Sequence, residues 1–579
     1  MPIRPSAPKG RICSGWLERA WPWVALAVAV WVGFRWIAGS GAGFEFTDEG
    51  LYFLAAQDPW RNVHSTHFGF FLHPLYELAG RNPGAYRCLA LLVLLGAAWV
   101  CAGTWKSWQR LGKNDAGFAH AATALILSGA LLVFSNGRRT PAYDYLVFLG
   151  ALLAWAGFFR IDASRGRDRG GWVLLAAGLW TAAYGKWAVA VVLAGLFGIL
   201  GSARQVPWRQ GVLPFAATMT LGLVTAYAWI RPEALGRSWN ESRFIVENLG
   251  SHGTHLASYY GLTVVNFVYR SLRAFAYGLP IFLLWWWLRQ SKVGRPIVPT
   301  AWAGVLPWLI LATGLYFGLA RAGASSFSRV GSNVMAELLW VAMVAWVLRG
   351  RIAWSSPSTA LLLTPWILGL GTGTALGDYA GHGAVFFQMI TLGIWLGIRR
   401  TGMSSALVVP FLWLAVVLNL FRAEASLQDP FRIRSLSECR ENWKIPGGGS
   451  VRVDPNQKKL LQQLQSRLGM AGFRPGDPIV AIGDMPGVVY LLGGWSPGTC
   501  WYFANTPQQE FYVRAVLGAV PKEIRGRSFL ILRENSPLFE RRRTLLKLTG
   551  GNRPADFVTG PLSLEGSSTR IHGWGPAPR

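Results

Sequence analysis

The run Trp23–Ala38, WVALAVAVWVGFRWIA, is followed shortly by Thr47-Asp48-Glu49-Gly50-Leu51-Tyr52-Phe53. The first stretch is apolar enough to sit in a bilayer as a helix. The second places adjacent carboxylates where a membrane chain first emerges on the far side, in a protein with 28 acidic residues against 56 basic ones. Local chemistry offers a modest reading of that pair. Thr47 or Asp48 would cap a short helix, Glu49 would complement its dipole, and Leu51, Leu54 and Ala55 would form an apolar stripe. The rest of the chain says whether the carboxylates do more.

Working outward, apolar segments recur at Tyr86–Ala102, Phe118–Phe134, Tyr145–Phe159, Trp172–Tyr184, Trp187–Leu200 and Leu213–Ile230. Six more lie at Ala274–Leu288, Ala301–Ala320, Val334–Leu348, Ala360–Gly371, Ala384–Ile398 and Ala406–Phe421, making about 13 with the first. With the N-terminus inside, the links Thr104–Asp115, Arg160–Gly170, Ser202–Gln210, Arg289–Arg295, Arg349–Arg351 and Arg399–Arg400 are cytoplasmic. Each carries at least two Lys or Arg, as the positive-inside rule expects. Fusing the segments on either side of Lys186 would invert every later loop and break that agreement. The expectation is therefore a multi-pass plasma (inner) membrane protein with its N-terminus cytoplasmic. Residues 1–421 form the transmembrane module, with a first outer loop at 39–85, and residues 422–579 form a periplasmic or extracellular domain.

Composition supports this class. The chain has 579 residues, 52% of them hydrophobic, with 31 Trp, 31 Phe and 15% charged residues, more apolar surface than one soluble core can hide. The formal charge of +28 does not point to nucleic acid, because the basic residues concentrate in short links between apolar segments. Met1–Gly15 is basic and polar without a small-residue cleavage site after it, and reads as the lead-in to a retained helix. Among five cysteines there is no CxxC pair or zinc-like spacing. Cys439 and Cys500, if outside, could pair.

From Arg422 the pattern changes. Val453–Gly469 has helical spacing, Pro478–Gly483 and Arg527–Arg533 read as strands, and Gln508–Val520 and Pro537–Leu548 as helices, ahead of a Gly/Pro/Ser-rich tail. Such alternation predicts a small α/β domain. Gly483, Gly487, Gly493 and Gly494 do not fit a nucleotide fingerprint and read as turns.

Four groups with chemical potential fall on the outer face. They are Asp48-Glu49, Asp144 within Arg138-Arg139-Thr140-Pro141-Ala142-Tyr143-Asp144-Tyr145, Lys186 after Gly185, and the pair Arg321 and Arg329. Charges near a membrane interface are costly unless paired or hydrated, so each is a candidate site; snorkelling alone would also accommodate Lys186 or Arg329. Together, carboxylates that activate a hydroxyl and cations that hold a phosphate suit glycosyl or phosphoryl transfer. Tyr52, His73 and Arg138 are candidate contacts to donor or acceptor. His64, His67 and His73 lie near two acids but form no HExxH-like motif. They read as surface or carrier contacts, with no cofactor required and a divalent metal as the alternative.

An outer loop opening with Asp-Glu directly after the first helix resembles the GT-C fold glycosyltransferases. The protein O-mannosyltransferases and the aminoarabinose transferase that modifies lipid A are the members it is most similar to. His73-Pro74-Leu75, the Asp144 link and Gly185-Lys186 carry the likeness further, although many relatives have Lys or His before two prolines where His73 precedes one. The resemblance implies inverting transfer of a sugar from a polyprenyl-phosphate carrier, at the outer face, to a lipid, glycan or protein acceptor. It also implies Asp48 as general base, Glu49 and Asp144 as its supports, and Lys186 with Arg321 or Arg329 on the leaving phosphate. The competing class is a transporter or flippase for a lipid-linked saccharide, which would carry polar residues at mid-span. A non-catalytic assembly or sensor protein is a third class, for which 13 spans are a costly anchor.

Overall fold

The computed structural model describes residues 14–248, 356–370, 383–400 and 409–576, apart from positions 63, 113–114, 135–138, 429, 431–432, 503–508, 550–556, 560–561 and 565–566. The expected segments Ala274–Leu288, Ala301–Ala320 and Val334–Leu348 lie outside the described residues, as do Arg138, Arg321 and Arg329.

Every other expected apolar segment is a helix. In chain order these are α1 (Ser14–Gly39), α4 (Pro83–Trp108), α5 (Ala116–Ala130, extended by a 3-10 turn to Phe134), α6 (Tyr143–Ala163), α7 (Arg169–Gly185), α8 (Trp187–Ala203), α9 (Val212–Ile230), α11 (Ser356–Leu368), α12 (Ala384–Arg400) and α13 (Val409–Gln428). Between them lie α2 (Asp48–Gln57) and α3 (Phe68–Leu78) in the first long loop, and α10 (Pro232–Asn248) opens the second. Among the described residues, α1 from Ala20, α4, α5 with its 3-10 turn, α6 and α9 are long and apolar enough to cross a membrane. α7 and α8 are separate helices, because Lys186 between them is extended at φ −151° and ψ 106°.

A glycine seam joins α6 to α7. A Cβ at Gly150 would stand 2.4 Å from the Gly178 carbonyl oxygen, one at Gly157 2.4 Å from the Leu175 nitrogen, and one at Gly185 2.4 Å from the Tyr143 carbonyl oxygen. Glycines spaced by seven keep to one helix face and allow the backbones to touch, as small residues do between membrane helices. The last contact of the seam delivers the residue after Gly185 to the start of α6.

The C-terminal part is α/β. A hairpin of β1 (Glu441–Lys444) and β2 (Ser450–Val453) precedes α14 (Pro455–Met470), whose Leu460, Leu461, Leu464 and Leu468 are buried as the helical spacing predicts. Then come β3 (Ile479–Ile482), α15 (Pro486–Leu491), α16 (Gln509–Ala519), α17 (Lys522–Arg527), β4 (Phe529–Arg533) and α18 (Arg542–Leu548). The tail does not hang loose as its composition suggests. It supplies β5 (Phe557–Val558), β6 (Leu562–Leu564), β7 (Ser567–Thr569) and β8 (Ile571–Trp574). One sheet runs β3-β4-β8-β5, with β3 and β4 parallel and β4 and β8 antiparallel. Ile531 opposite Gly573, and the fully buried β3 and β4, show a sheet covered on both faces.

Cys439 and Cys500 are both free thiols, which overturns the pairing. The Cys500 Sγ donates to the Asn62 carbonyl at 2.8 Å, and the Cys439 Sγ faces the Ser435 carbonyl at 3.7 Å.

Candidate active site

The first long loop packs against the C-terminal part. Gly43 donates its N–H to the Arg452 carbonyl at 2.6 Å and Arg452 donates back to Gly41 at 2.9 Å, so the loop begins with a single parallel bridge from Ala42 to β2 of the hairpin. The Gln457 side chain donates to the Phe44 carbonyl, and the Gly487 N–H to the Phe46 carbonyl at 2.7 Å. Phe44, Phe53 and Tyr490 stack on one another at 4.9 to 5.6 Å. Every residue of α2 from Asp48 to Ala56 is buried, so the expected one-sided apolar stripe is a helix enclosed all round. α3 closes one side, with Gly69 against the Ala55 backbone, and α15 closes another, where a Cβ on Gly50 would lie 2.0 Å from the Gly487 nitrogen. Gly487, read from sequence as a turn, is a point of backbone-to-backbone contact.

The cap of α2 also differs from expectation. Thr47 makes no side-chain cap. Glu45 does that work: its carboxylate accepts from the N–H groups of Thr47 at 2.7 Å and Glu49 at 3.0 Å, and from the Thr47 hydroxyl. The Glu49 carboxylate returns the favour by accepting from the Glu45 N–H at 3.0 Å. Burial first, then the charge of Asp48, pushes the Glu45 carboxyl up to about 8. Sequence reading missed Glu45, although its place four residues before Glu49 was the available signal.

Glu49 is committed to structure. It meets Arg87 of α4 at 2.8 Å and accepts from the Thr140 hydroxyl at 2.5 Å. Arg87 in turn donates to Thr140 and to the Ser40 and Gly43 carbonyls. Arg139 donates to the Gly39 and Ala42 carbonyls, and burial with Arg87 beside it lowers its pKa to about 9. The two arginines fasten the loop where it leaves α1; neither was singled out from sequence as a fastener.

Asp48 occupies the first turn of α2, 9% exposed, with Tyr52 one turn further along the same face. The Tyr52 ring meets Tyr143 edge-on at 5.8 Å. Tyr143 lies beneath the Lys186 ammonium, 4.9 Å from the ring centre, and Lys186 is ion-paired to Asp144 at 2.5 Å. Asp144 thus partners Lys186, delivered to it by the glycine seam. His64 stacks parallel to Tyr143 at 6.4 Å, and its Nδ1 accepts from the Thr66 N–H, so Nε2 carries the proton. Burial lowers the His64 pKa to about 4 and keeps the ring neutral. His73 donates from Nδ1 to the Ala56 carbonyl at 2.8 Å and packs on Trp60, a clasp between α3 and α2. Burial also lowers the His67 pKa.

Asp48, Tyr52, Tyr143, Lys186 and Asp144 therefore form a largely buried wall that combines a carboxylate, a cation with its counter-ion, and two aromatic rings packed edge to face. Helix α10 braces it. Ser238 and Ser242 of α10 donate to the carbonyls of His64 and Ser65, and Arg237 donates to the Trp60 carbonyl at 2.9 Å.

This arrangement of a helical multi-span module and an α/β part is similar to that of a solved structure. It is ArnT from Cupriavidus metallidurans, bound to undecaprenyl phosphate. The likeness covers 97% of this chain and 98% of that one, at 12% identity and a TM-score of 0.43. No protein-family model and no curated protein matches the chain.

Proposed function

We propose that the chain is an integral membrane glycosyltransferase that moves a sugar from a polyprenyl-phosphate carrier to a lipid, glycan or protein acceptor. The observation that carries this reading is the run of contacts from Tyr52 through Tyr143 to the Lys186–Asp144 pair, with Asp48 one helical turn before Tyr52. It offers a proton acceptor and an anion partner to one substrate. In this mechanism Asp48 takes the proton of the acceptor hydroxyl as its oxygen attacks the anomeric carbon. The bond from that carbon to the phosphate oxygen breaks on the opposite side, which inverts the centre. The phosphate leaves with the electron pair, and the Lys186 ammonium, held in place by Asp144 and Tyr143, stabilises its added charge. Arg321 and Arg329 remain candidates for a second phosphate contact, and Arg138 for a donor contact. No cofactor is called for, and the proposed partners are the carrier-linked sugar, its acceptor and membrane lipids.

The basic links support an orientation with the N-terminus in the cytoplasm and the α/β part outside, in which the wall lies on the outer face. A transporter reading would place charged groups along the spans. Lys186 and Asp144 instead sit at the ends of α7 and α6, which favours chemistry at one face. Mass spectrometry of envelope lipids and glycans with and without the protein tests the proposal: a sugar that disappears with the chain and returns on its re-expression supports it. Identical profiles, or accumulation of a carrier on the inner face alone, would favour transport.

A further inference from the structure

A second site lies apart from the wall just described. A cavity of about 680 Å³ opens between the turn that follows α2, α10, and the α16–α17 pair of the C-terminal part. Its lining divides by chemistry. Along α10, Arg237, Asn240 and Glu241 fall on one helix face by their spacing and all line the space. Val516, Val520 and Ile524 form an apolar wall opposite. Trp60 and Trp495 supply indoles, with the Arg61 guanidinium 5.8 Å from the Trp495 ring, and Arg527 stands exposed at the rim.

Glu241 is the informative residue. Its Oε1 accepts from the Thr499 hydroxyl at 2.8 Å and from the Tyr512 hydroxyl at 3.3 Å. Its Oε2 is shielded from solvent and has no hydrogen-bond partner among the described residues. A buried acceptor left unmet is costly, and a ligand that donates a hydroxyl relieves the cost. Indoles beside such an acceptor suit a sugar ring, which presents C–H groups to the flat face and hydroxyls at its edge. Three arginines line the cavity, Arg61 also facing Asp58 at 3.5 Å and Arg237 bonded to the Trp60 carbonyl, so the lining is net basic and favours an anion, which arginine holds as phosphate or carboxylate in bidentate fashion.

We infer that this cavity is a binding site for an anionic saccharide, with Glu241 accepting a ring hydroxyl, Trp495 as stacking platform, and Arg61, Arg237 and Arg527 facing the negative group. The site is joined to the wall through the chain itself. Trp60 and Arg61 follow directly on α2, and Asn62 ties that turn back to the Leu54 carbonyl at 3.0 Å and forward to the Ser496 N–H at 3.0 Å. A saccharide held there is positioned by the same loop that carries Asp48. Resting on the glycosyltransfer reading, it is the acceptor rather than the carrier, because the apolar wall is short and belongs to the C-terminal part.

Saturation-transfer NMR on the full chain in lipid nanodiscs, without any donor, tests the site with glucose 6-phosphate, glucose and inorganic phosphate. Glucose 6-phosphate should show saturable transfer, with the other two at least about tenfold weaker. Glu241→Gln keeps the acceptor for Thr499, and Arg527→Ala changes a rim residue; each should weaken glucose 6-phosphate about tenfold while the protein stays folded. Absence of saturable transfer, equal binding by wild type and both variants, or inorganic phosphate binding as tightly as the sugar phosphate would each overturn the inference. Because binding is read without turnover, a chain that binds but transfers nothing would refute the catalytic reading and leave this site standing.

Discussion

Gly50→Ala is the sharpest probe of how the outer loop is built. A methyl group there would stand 2.0 Å from the Gly487 nitrogen, 2.3 Å from its Cα and 2.8 Å from the Pro486 carbonyl carbon. All three are backbone atoms, so no rotamer change relieves the overlap, and α15 would have to retreat by about 1 Å or more to reach ordinary contact. Overpacking of a filled core costs about 1–3 kcal/mol, and a backbone obstacle belongs at the upper end. Retreat of α15 would also break the bond from Gly487 to the Phe46 carbonyl, two residues before Asp48. A base displaced by about 1 Å costs on the order of a hundredfold in rate. Gly33→Ala in α1 is the control, since nothing lies within 4 Å of its added carbon; helix propensity there favours Ala by about 1 kcal/mol. The assay is thermal melting of purified protein beside mass-spectrometric turnover of the chain-dependent sugar. Gly50→Ala should melt lower and lose most transfer, whereas Gly33→Ala should match or exceed wild type in both. A Gly50→Ala protein with wild-type melting and turnover would refute the packing of α2 on α15.

Glu49→Gln should behave as a folding variant, because it strands the buried Arg87 charge; removal of one partner from such a pair costs about 3–5 kcal/mol, read as a lowered melting temperature. Lys186→Ala should depress transfer with carrier-linked sugar and, by leaving the largely buried Asp144 carboxylate without its cation, also lower the melting temperature; Lys186→Arg, which keeps the charge, should restore the melting temperature and only part of the transfer. Stability should fall as pH rises from about 4.5 to about 8, the window over which folded Glu45 keeps a proton that the unfolded chain has lost. Glu45→Gln should flatten that slope in melting curves; an unchanged slope would remove Glu45 as its source.

Much of the membrane architecture was legible in the sequence, because a bilayer imposes length and apolarity on each span and the basic links mark the turns between spans. The break at Lys186 was recoverable from the same charge pattern. What could not be read was the docking of the α/β part onto the first outer loop. Phe44 on Tyr490 and Gly50 on Gly487 join positions more than four hundred residues apart, and no local periodicity encodes such pairs. For that reason α2 looked like a surface helix with one apolar side, and Glu49 looked like a companion acid instead of the partner of Arg87. The Asp144–Lys186 pair was half legible: both residues stood out as charges at helix ends, but their contact depends on the α6–α7 glycine seam. The tail strands were hidden by a composition rich in Gly, Pro and Ser, since β8 draws its order from pairing with β4, and β5 from pairing with β8, and not from their own propensity.

Transfer by Asp48→Asn measures the central claim most directly. Asn has nearly the same volume, and the cap of α2 is made by Glu45 and Glu49, so the substitution removes the proposed base and leaves the helix start in place. Mass-spectrometric turnover should fall by on the order of a hundred- to ten-thousand-fold with an unchanged melting temperature and membrane abundance. Wild-type transfer by Asp48→Asn would contradict the account.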